Sequence, residues 1–440
     1  MKPKSTDRRA PAQRALVVHP VRRRDNLTRA PAARLDEAAG LAEALDLVVA
    51  ERLIAPLRTT APATLFGPGK VGEIAETCAA QDIDLVVVDD ALTPIQQRNL
   101  ERAWKVKVID RTGLILEIFA RRARTKEGRL QVELARLDYE RSRLVRTWTH
   151  LERQRGGFGF LGGPGETQIE ADRRLLLDRI VKLKTDIADV RRTRGLQRRA
   201  RKRVPYPTVA LVGYTNAGKS TLFNRLTDSK VLARDMLFAT LDPTLRQLRL
   251  PGGRPVILSD TVGFISDLPH ELVEAFRATL DEVREADVIL HVRDIAAPDS
   301  EAEAADVAKV LDDLGLGADA GDRVIEVWNK IDLLSADARE EIKARATRAG
   351  AVALSSIDGE GLDDLSARLV VRVDDAPEVI FRLAPSDGEA VAWLYRHGRV
   401  TAREETEEAT MISARLDTQA LGRFERMRPM AHDARATGQP

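Results

Sequence analysis

The chain has 440 residues, of which 43% are apolar and 31% charged, a composition typical of a globular protein with a highly charged surface. At roughly 150 residues per domain, this length predicts about three domains and excludes a peptide or a disulfide-held miniprotein. The net charge of +2 supplies no global attraction to nucleic acid, so a basic binding site must be local. The single cysteine, Cys78, excludes an internal disulfide and a thiolate zinc cluster, and it favours a reducing compartment.

The first part of the chain predicts a small α/β domain. Residues 1–13 are basic and expected to be disordered, and 14–114 alternate between apolar runs and helical patterns, which indicates a parallel sheet. Strands are predicted at 14–19, 47–53, 83–88 and 106–110, with helices at 32–45, after Gly69 and at 94–102. No apolar run approaches the roughly 18 residues that a membrane span needs, so we expect a cytoplasmic protein that has no membrane span.

Residues 115–204 predict a long helical hairpin. A seven-residue spacing, interrupted at Arg141, indicates one long helix or two in series; its members are Leu130, Leu134, Leu137, Leu144, Trp148 and Leu151. After the glycine-rich stretch 156–165 the spacing returns at Ile169, Leu176, Ile180, Leu183, Ile187 and Val190. Two antiparallel helices whose apolar stripes pack on each other, joined by a glycine-rich loop, account for this pattern.

The second hairpin helix ends in a basic run. Eight of the thirteen residues in 191–203 are Lys or Arg, and none is acidic. Two interpretations stay open: a cationic patch that binds the phosphates of a nucleic acid, or a solvated linker. No aromatic residue is interleaved, so base stacking on this run is not expected.

A phosphate-binding loop follows the apolar strand predicted at 207–212. Its residues are Gly213, Tyr214, Thr215, Asn216, Ala217, Gly218, Lys219, Ser220 and Thr221. The glycines let backbone N–H groups face the β-phosphate of a nucleotide, Lys219 reaches the β and γ oxygens, and Ser220 can ligate Mg²⁺.

A second group of candidates surrounds the γ-phosphate. The apolar run 256–258 leads into Asp260, Thr261, Val262 and Gly263, which predicts a carboxylate near the metal and a glycine N–H facing the γ-phosphate. Thr240 and Thr244 are both candidates for a second protein ligand to Mg²⁺.

Two later motifs select the base. A strand at 323–328 delivers Asn329, Lys330, Ile331 and Asp332, whose carboxylate can accept from both N1–H and the 2-amino group of guanine. Adenine offers neither donor, so it would leave the buried acceptors unmatched. A further strand at 351–354 ends at Ser355, Ser356 and Ile357, where a backbone N–H can reach guanine O6. The ordered set predicts GTP and GDP as ligands.

Phe264 follows Gly263 where many GTPases carry the glutamine that orients the attacking water. An aromatic ring cannot do this, so we expect slow intrinsic hydrolysis, with Lys219, Thr240 and Gly263 as the catalytic candidates. Asn216 resembles a residue that helps hold an activating K⁺ in GTPases with such a replacement; a loop-stabilising role is the alternative.

The combined motifs resemble the HflX family of ribosome-associated GTPases. The resemblance covers residues 14–372 and includes Asp260 to Phe264, the segment Phe238, Ala239, Thr240, Leu241 and Asp242, and stretches at 67–71, 122–135 and 163–174. It implies that Phe238 to Asp242 contact the nucleotide and that Thr240 is the second Mg²⁺ ligand. Two departures stand out: Leu161 lies where an arginine is expected, and Ser356 where alanine is usual.

The resemblance also implies an architecture and partners. The expected fold class is α/β, with a P-loop GTPase domain at 205–373, a mostly parallel sheet flanked by helices. The small α/β domain and hairpin precede it, and a small α+β domain at 374–428 and a disordered tail at 429–440 follow. The implied partners of this monomer are the 50S subunit and the 70S ribosome, with the hairpin loop and the basic run near ribosomal RNA.

Three alternatives remain at this stage. A tRNA-modifying or other autonomous potassium-dependent GTPase needs a second catalytic site, and no cysteine-rich or cofactor motif indicates one. A signalling or membrane-remodelling GTPase needs a lipid anchor or an amphipathic basic helix, and no lipidation signal is found. Residues 67–70 fit a second phosphate site for ATP or a structural turn.

Overall fold

The computed structural model describes residues 12–22, 29–154, 164–201, 206–228, 237–238, 240–251, 255–266, 280, 282–316, 323–373, 378–406, 408–416, 418–429 and 432–433. Several sequence expectations fall outside these ranges: the basic start of the chain up to residue 11, most of the glycine-rich loop with Leu161, Ala239, and the last seven residues. Side chains at 144–154 and 164–172 in the hairpin, and at 191 and 194–201 in the basic run, are also outside the description.

Strands and helices alternate through the first part of the chain. They are β1 (Arg14–Arg22), α1 (Pro31–Glu43), β2 (Val48–Leu57), α2 (Pro68–Ala80), β3 (Leu85–Val88), α3 (Pro94–Trp104) and β4 (Lys107–Asp110). The four strands form a parallel sheet in the order β2-β1-β3-β4, as the alternation predicts. Gly67 precedes α2 and Lys70 pairs with Glu73 at 2.6 Å, which favours the structural interpretation of 67–70.

The two faces of this sheet bury different apolar sets, because successive side chains of a strand point to opposite faces. Leu16 and Val18 of β1 pack in a cluster with Phe66 and Trp104. Ala15 and Val17 face the other way and join a second cluster that includes residues of α1. That second cluster continues beyond this sheet and contains residues of the hairpin and of the nucleotide domain.

Two helices in series occupy the segment predicted as one or two helices. They are α4 (Arg111–Arg122) and α5 (Lys126–Gln154), and α6 (Pro164–Arg201) follows. Helix α4 crosses the domain boundary expected between 114 and 115, so the hairpin does not begin there. The physical reason is burial: Ile115, Ile118 and Phe119 lie in the cluster shared with α1, and α5 is the first helix of the hairpin.

The predicted apolar stripes are confirmed only in part. In α6, Ile180, Leu183 and Ile187 are buried as expected, Leu176 and Val190 are half-buried, and the side chain of Ile169 is outside the description. Among the described side chains of α5, residues 126–143, the buried apolar ones are Val132 and Ala135, and the predicted Leu130, Leu134 and Leu137 are half-buried. The predicted Leu144, Trp148 and Leu151 have side chains outside the description. Helix α5 contacts α3 and α4 as well as α6. A seven-residue repeat is typical of a helix that packs on a single partner helix, so it does not predict which residues of α5 are buried.

The nucleotide domain is a second, larger sheet. Its elements are β5 (Thr208–Gly213), α7 (Lys219–Thr227), β6 (Thr244–Arg249), β7 (Pro255–Asp260), β8 (Val288–Asp294), α8 (Ser300–Asp313), β9 (Val324–Asn329), α9 (Ala336–Ala349), β10 (Val352–Ala353) and α10 (Leu362–Val373). The strand order is β10-β9-β8-β5-β7-β6, and only β6 is antiparallel to its neighbour. The ends of β5, β7, β9 and β10 therefore bring the predicted motifs to one edge of the sheet.

The C-terminal part is a small α+β unit. It comprises β11 (Glu378–Leu383), α11 (Gly388–His397), β12 (Arg399–Glu405), β13 (Thr410–Arg415), α12 (Thr418–Met427) and β14 (His432–Asp433). The antiparallel order is β12-β13-β11-β14. The expectation of a disordered tail from 429 is wrong at β14, which pairs with Ile380 and Phe381. Among the described helices, none combines the length and apolarity needed to cross a membrane.

Candidate functional site

Two glycines shape the loop between β5 and α7. Gly213 has a φ of +150°, and a Cβ there would lie 2.1 Å from the carbonyl oxygen of Val292. Gly218 has a φ of +91°, and a Cβ there would lie 2.2 Å from Asn329 Nδ2. Both positions require glycine because the conformation is left-handed and a neighbour occupies the side-chain space. The backbone is thereby held in the compact loop that the sequence predicts.

Lys219 begins α7 and is buried inside this loop. Its ammonium group donates to the carbonyl oxygens of Gly213 at 3.0 Å and Tyr214 at 2.6 Å. Burial lowers the pKa of Lys219 to about 8, although the carboxylates of Asp260 and Glu303 act in the opposite direction. The protein thus maintains a cation with little water around it, where the negative charge of phosphate oxygens would stabilise it.

The two predicted Mg²⁺ ligands meet at one carboxylate. The Ser220 and Thr240 hydroxyl oxygens are 2.9 Å apart, and they lie 2.7 and 3.0 Å from Asp260 Oδ2. The other oxygen, Asp260 Oδ1, is buried without a hydrogen-bond partner in the described part of the chain. Burial also raises the pKa of Asp260. Convergent hard oxygen donors with an unpaired buried oxygen fit Mg²⁺, directly or through its waters.

The segment after Asp260 lies against the phosphate loop. The N–H of Phe264 donates to the Gly213 carbonyl at 3.1 Å, and the N–H of Thr215 donates to the Phe264 carbonyl at 2.7 Å. Thr261 donates its hydroxyl to the Leu211 carbonyl at 2.6 Å. A Cβ at Gly263 would lie 3.0 Å from Lys219 Nζ, so this residue borders the lysine.

The residues predicted to select the base converge around Asn329. Its amide nitrogen donates to the Ala217 carbonyl at 2.8 Å, and its amide oxygen accepts from the Ser356 N–H at 3.0 Å and hydroxyl at 2.8 Å. Lys330 has a φ of +66° and pairs with Asp294 at 2.8 Å. Asn329 therefore connects the phosphate loop to the last motif.

Asp332, the residue predicted to bind the guanine base, has a buried oxygen that is unpaired within the described part of the chain. Its Oδ1 is buried, and no described residue donates a hydrogen bond to it. Ser355 and Ser356 are buried beside Asn329, whereas Ile331 is fully buried and Ile357 is 66% exposed. Of the predicted base-site residues, Asn329, Ser355, Ser356 and Ile331 are buried, and Asp332 has one buried oxygen without a described partner.

Three other predicted nucleotide contacts have partners elsewhere in the protein. Phe238 and Leu241 are buried in the cluster shared with α1 and α4, and the Phe238 ring packs edge-on against Phe119 with centroids 4.7 Å apart. The Asp242 carboxylate bonds to the residues that precede α5. The side chains of Phe238, Leu241 and Asp242 therefore contact other parts of the protein.

A buried polar network that no local sequence pattern indicates lies between the two sheets. The Tyr214 hydroxyl bonds to Glu37, accepts from Arg29 at 2.7 Å and accepts from the Ser266 N–H at 2.7 Å. Burial and the neighbouring Glu37 raise the pKa of Tyr214. The phosphate loop is therefore anchored to α1 of the N-terminal sheet.

Arg111 completes this network. It is buried, pairs with Asp89 and Glu37, and donates to the Ser266 carbonyl at 2.9 Å. The Asp89 carboxylate is buried too, but Arg111 and the hydrogen bond from His19 lower its pKa to about 2. These residues are up to 229 positions apart along the chain, so no local pattern connects them.

The chain is similar to three protein families and to a solved structure. Three family models match in succession: a GTP-binding GTPase N-terminal region over 32–120, a GTP-binding GTPase middle region over 122–201, and a 50S ribosome-binding GTPase over 208–330. The GDP complex of SsGBP superposes with a TM-score of 0.48 at 23% identity, covering 82% of this chain and 98% of that one.

Two curated relatives are much more similar in sequence to this chain than SsGBP is. The GTPase HflX of Magnetococcus marinus is 50% identical over 394 residues, covering 89% of this chain and 90% of the relative. The GTPase HflX of Escherichia coli K12 is 46% identical over 356 residues, covering 80% and 81%. Together with the phosphate loop, these matches assign GTP binding and hydrolysis. The chain belongs to the HflX family of GTPases.

Proposed function

We propose that this protein is a GTP-controlled factor that binds the 50S ribosomal subunit and the 70S ribosome and rescues, splits or silences stalled ribosomes. The observation that carries the proposal is that the segment holding Thr240 packs on α4, immediately before the hairpin, through Phe238 and Phe119. The description of the matched family, a 50S ribosome-binding GTPase, supports it. We further propose that the protein acts as a monomer in the cytoplasm.

The chain's own residues define the reaction. Lys219 and the loop N–H groups bind the β- and γ-phosphates, Asp332 selects guanine, and Ser220, Thr240 and Asp260 would hold Mg²⁺. Bound Mg²⁺ would neutralise charge on the phosphate oxygens. Water adds to the γ-phosphorus, the bond to the bridging oxygen breaks, and GDP and inorganic phosphate are released.

We propose that basal hydrolysis is slow and that the 50S subunit accelerates it. Phe264 is 1% exposed and lies in an apolar cluster, so its position supplies no group that orients water. A ribosomal contact that orders the segments around Thr240 and Gly263 would raise the rate. We also propose that Asn216, exposed with a φ of +59°, helps to hold K⁺ beside the phosphates.

Sedimentation tests the binding part of this proposal. The protein is mixed with 50S and 70S particles in the presence of GTP, GDP or a non-hydrolysable GTP analogue, and the pelleted fraction is measured. We expect the most binding with the analogue. Equal binding with all three ligands would contradict control by GTP.

Single-turnover kinetics test the catalytic part. GTP hydrolysis is measured with and without 50S subunits, in potassium and in sodium, for the wild type and Lys219→Ala. We expect a slow basal rate, acceleration by 50S subunits, faster turnover in potassium, and no hydrolysis by the variant. A fast basal rate that subunits do not raise would indicate an autonomous potassium-dependent GTPase, such as a tRNA-modifying enzyme.

A further inference from the structure

Asp242 holds the residues that begin helix α5. Its carboxylate accepts from the N–H groups of Arg124 at 2.7 Å and Thr125 at 2.9 Å, and from the Thr125 hydroxyl at 2.5 Å. The Thr125 hydroxyl in turn accepts from the N–H of Gly128 at 2.9 Å, which caps the first turn of α5. The contact is favourable because N–H groups at a helix N-terminus lack partners within the helix and carry partial positive charge.

Gly128 makes this approach possible. A Cβ at residue 128 would lie 2.5 Å from Asp242 Oδ1 and 3.1 Å from Thr125 Oγ1. The carboxylate therefore reaches the helix only because residue 128 has no side chain. Glycine destabilises a helix relative to alanine, so helix formation alone does not explain its presence in the first turn of α5.

The other end of the same short segment lies at the Mg²⁺ site. Thr240, two residues before Asp242, contacts Ser220 at 2.9 Å and Asp260 at 3.0 Å. Three consecutive residues thus connect the metal and γ-phosphate site to the hairpin. A trans peptide backbone of this length cannot move Thr240 by several ångströms and leave Asp242 in place unless the intervening dihedral angles change.

We propose that the contact of Asp242 with Arg124 and Thr125, here called the Asp242 latch, is the element that couples Mg²⁺ and GTP to the hairpin. When Thr240 ligates Mg²⁺ beside the γ-phosphate, the latch is closed and the start of α5 is held. When GDP is bound, Thr240 leaves and the latch opens. The coupling is reciprocal: a closed latch strengthens binding of Mg²⁺ with GTP by the same factor. This inference rests on the proposed function only for the role of the hairpin on the ribosome.

Hydrogen exchange of the full-length protein, without ribosomes, tests the latch. The amides of Arg124, Thr125 and Gly128 are followed in peptides covering 123–129, with Mg²⁺ and either GDP or a non-hydrolysable GTP analogue. We expect exchange at least about tenfold slower with the analogue, because a bonded amide exchanges only when the contact opens. Equal exchange in the two states would overturn the proposal.

Gly128→Ala separates the latch from helix stability. The added methyl group displaces the Asp242 carboxylate, yet alanine stabilises the helix itself. We expect the exchange difference to fall below about twofold, and the affinity ratio of analogue over GDP to fall about tenfold. Gly72→Ala is the matched control, since a Cβ at that helical glycine meets nothing within 4 Å. An unchanged affinity ratio in Gly128→Ala would show that the contact is merely structural.

Two further variants give independent evidence. Thr125→Val removes the hydroxyl that bonds to Asp242, and Thr125→Ser retains it, so only the valine variant should lose the nucleotide-dependent protection.

Failure of the latch and failure of the proposed function are distinguishable. Nucleotide-independent exchange with GTP-dependent sedimentation overturns the latch alone. Nucleotide-dependent exchange with nucleotide-independent sedimentation overturns control of ribosome binding and leaves the latch intact.

Discussion

The buried ammonium group of Lys219 predicts a measurable uptake of protons when nucleotide binds. In the free protein its pKa is about 8, against an ordinary value of 10.5, because burial removes water from the charge. The two carbonyl acceptors of Gly213 and Tyr214 are neutral and restore only part of that hydration. Phosphate oxygens bound beside Lys219 favour the charged form, so we expect its pKa to return to 10.5 or above.

The number of protons taken up on binding follows from these pKa values. At pH 8.5 about three quarters of the free molecules carry a neutral Lys219, and at pH 7 about one tenth do. Binding of GDP should therefore take up about 0.7 proton at pH 8.5 and about 0.1 at pH 7. The difference between a pKa of about 8 and 10.5 corresponds to about 3 kcal/mol. Between pH 8 and 10.5, Lys219 binds more protons in the unfolded chain than in the folded one. The free energy of unfolding of the nucleotide-free protein therefore increases as the pH rises through this range.

Calorimetric titration with GDP, in buffers of different ionisation enthalpy, measures the uptake. Lys219→Arg and Lys219→Met are the controls, because neither side chain titrates near pH 8.5. Any contribution from the guanine base is common to all three proteins and cancels in the comparison. Equal uptake by the wild type and both variants at pH 8.5 would refute the reasoning.

Three further predictions concern specificity, packing and ribosome binding. Asp332→Asn should weaken GTP binding by about a hundredfold and favour xanthosine triphosphate, because the amide can donate to a 2-oxo group; unchanged GTP affinity, measured by fluorescence titration, would place guanine recognition elsewhere. Arg111→Met should lower the free energy of unfolding in urea by about 3–5 kcal/mol, since Asp89 and Glu37 lose a buried partner. Arg121→Met, in the same helix but in an exposed pair, should cost less than about 1 kcal/mol, and equal losses would contradict this account. Ribosome binding and its salt dependence, followed by sedimentation over a salt series, should both decrease on substitution by Gln of Arg198, Arg199, Arg201 and Lys202. Binding and a salt slope at wild-type values would instead identify the run as a solvated linker.

Local patterns predicted most of the strands and the order of the nucleotide motifs. The apolar runs of β1, β3 and β5 are long enough to be read directly, and each motif follows a strand. The pattern failed at β6 (Thr244–Arg249), an edge strand with only two apolar residues, and at β14, which has two residues in all. It also failed for α4, whose apolar side chains pack on α1 and not within the hairpin.

The features that could be predicted from the sequence depend on neighbouring residues. Glycines at 213 and 218 allow the loop conformation, Lys219 and Ser220 follow at the start of a helix, and Asp332 follows its strand. Each is set by backbone conformation and by the alternation of apolar and polar residues over a few positions. These local constraints were sufficient to predict a GTP site.

Contacts between distant residues depend on how the sheets and helices pack together. Asp242 reaches Arg124 across 118 positions, and Tyr214 reaches Glu37 across 177. Nothing local distinguishes these side chains from exposed ones, because their partners are chosen when the two sheets and the hairpin pack together. Burial then makes each pairing obligatory, since an unpaired polar group in the interior costs more free energy than the same group in water.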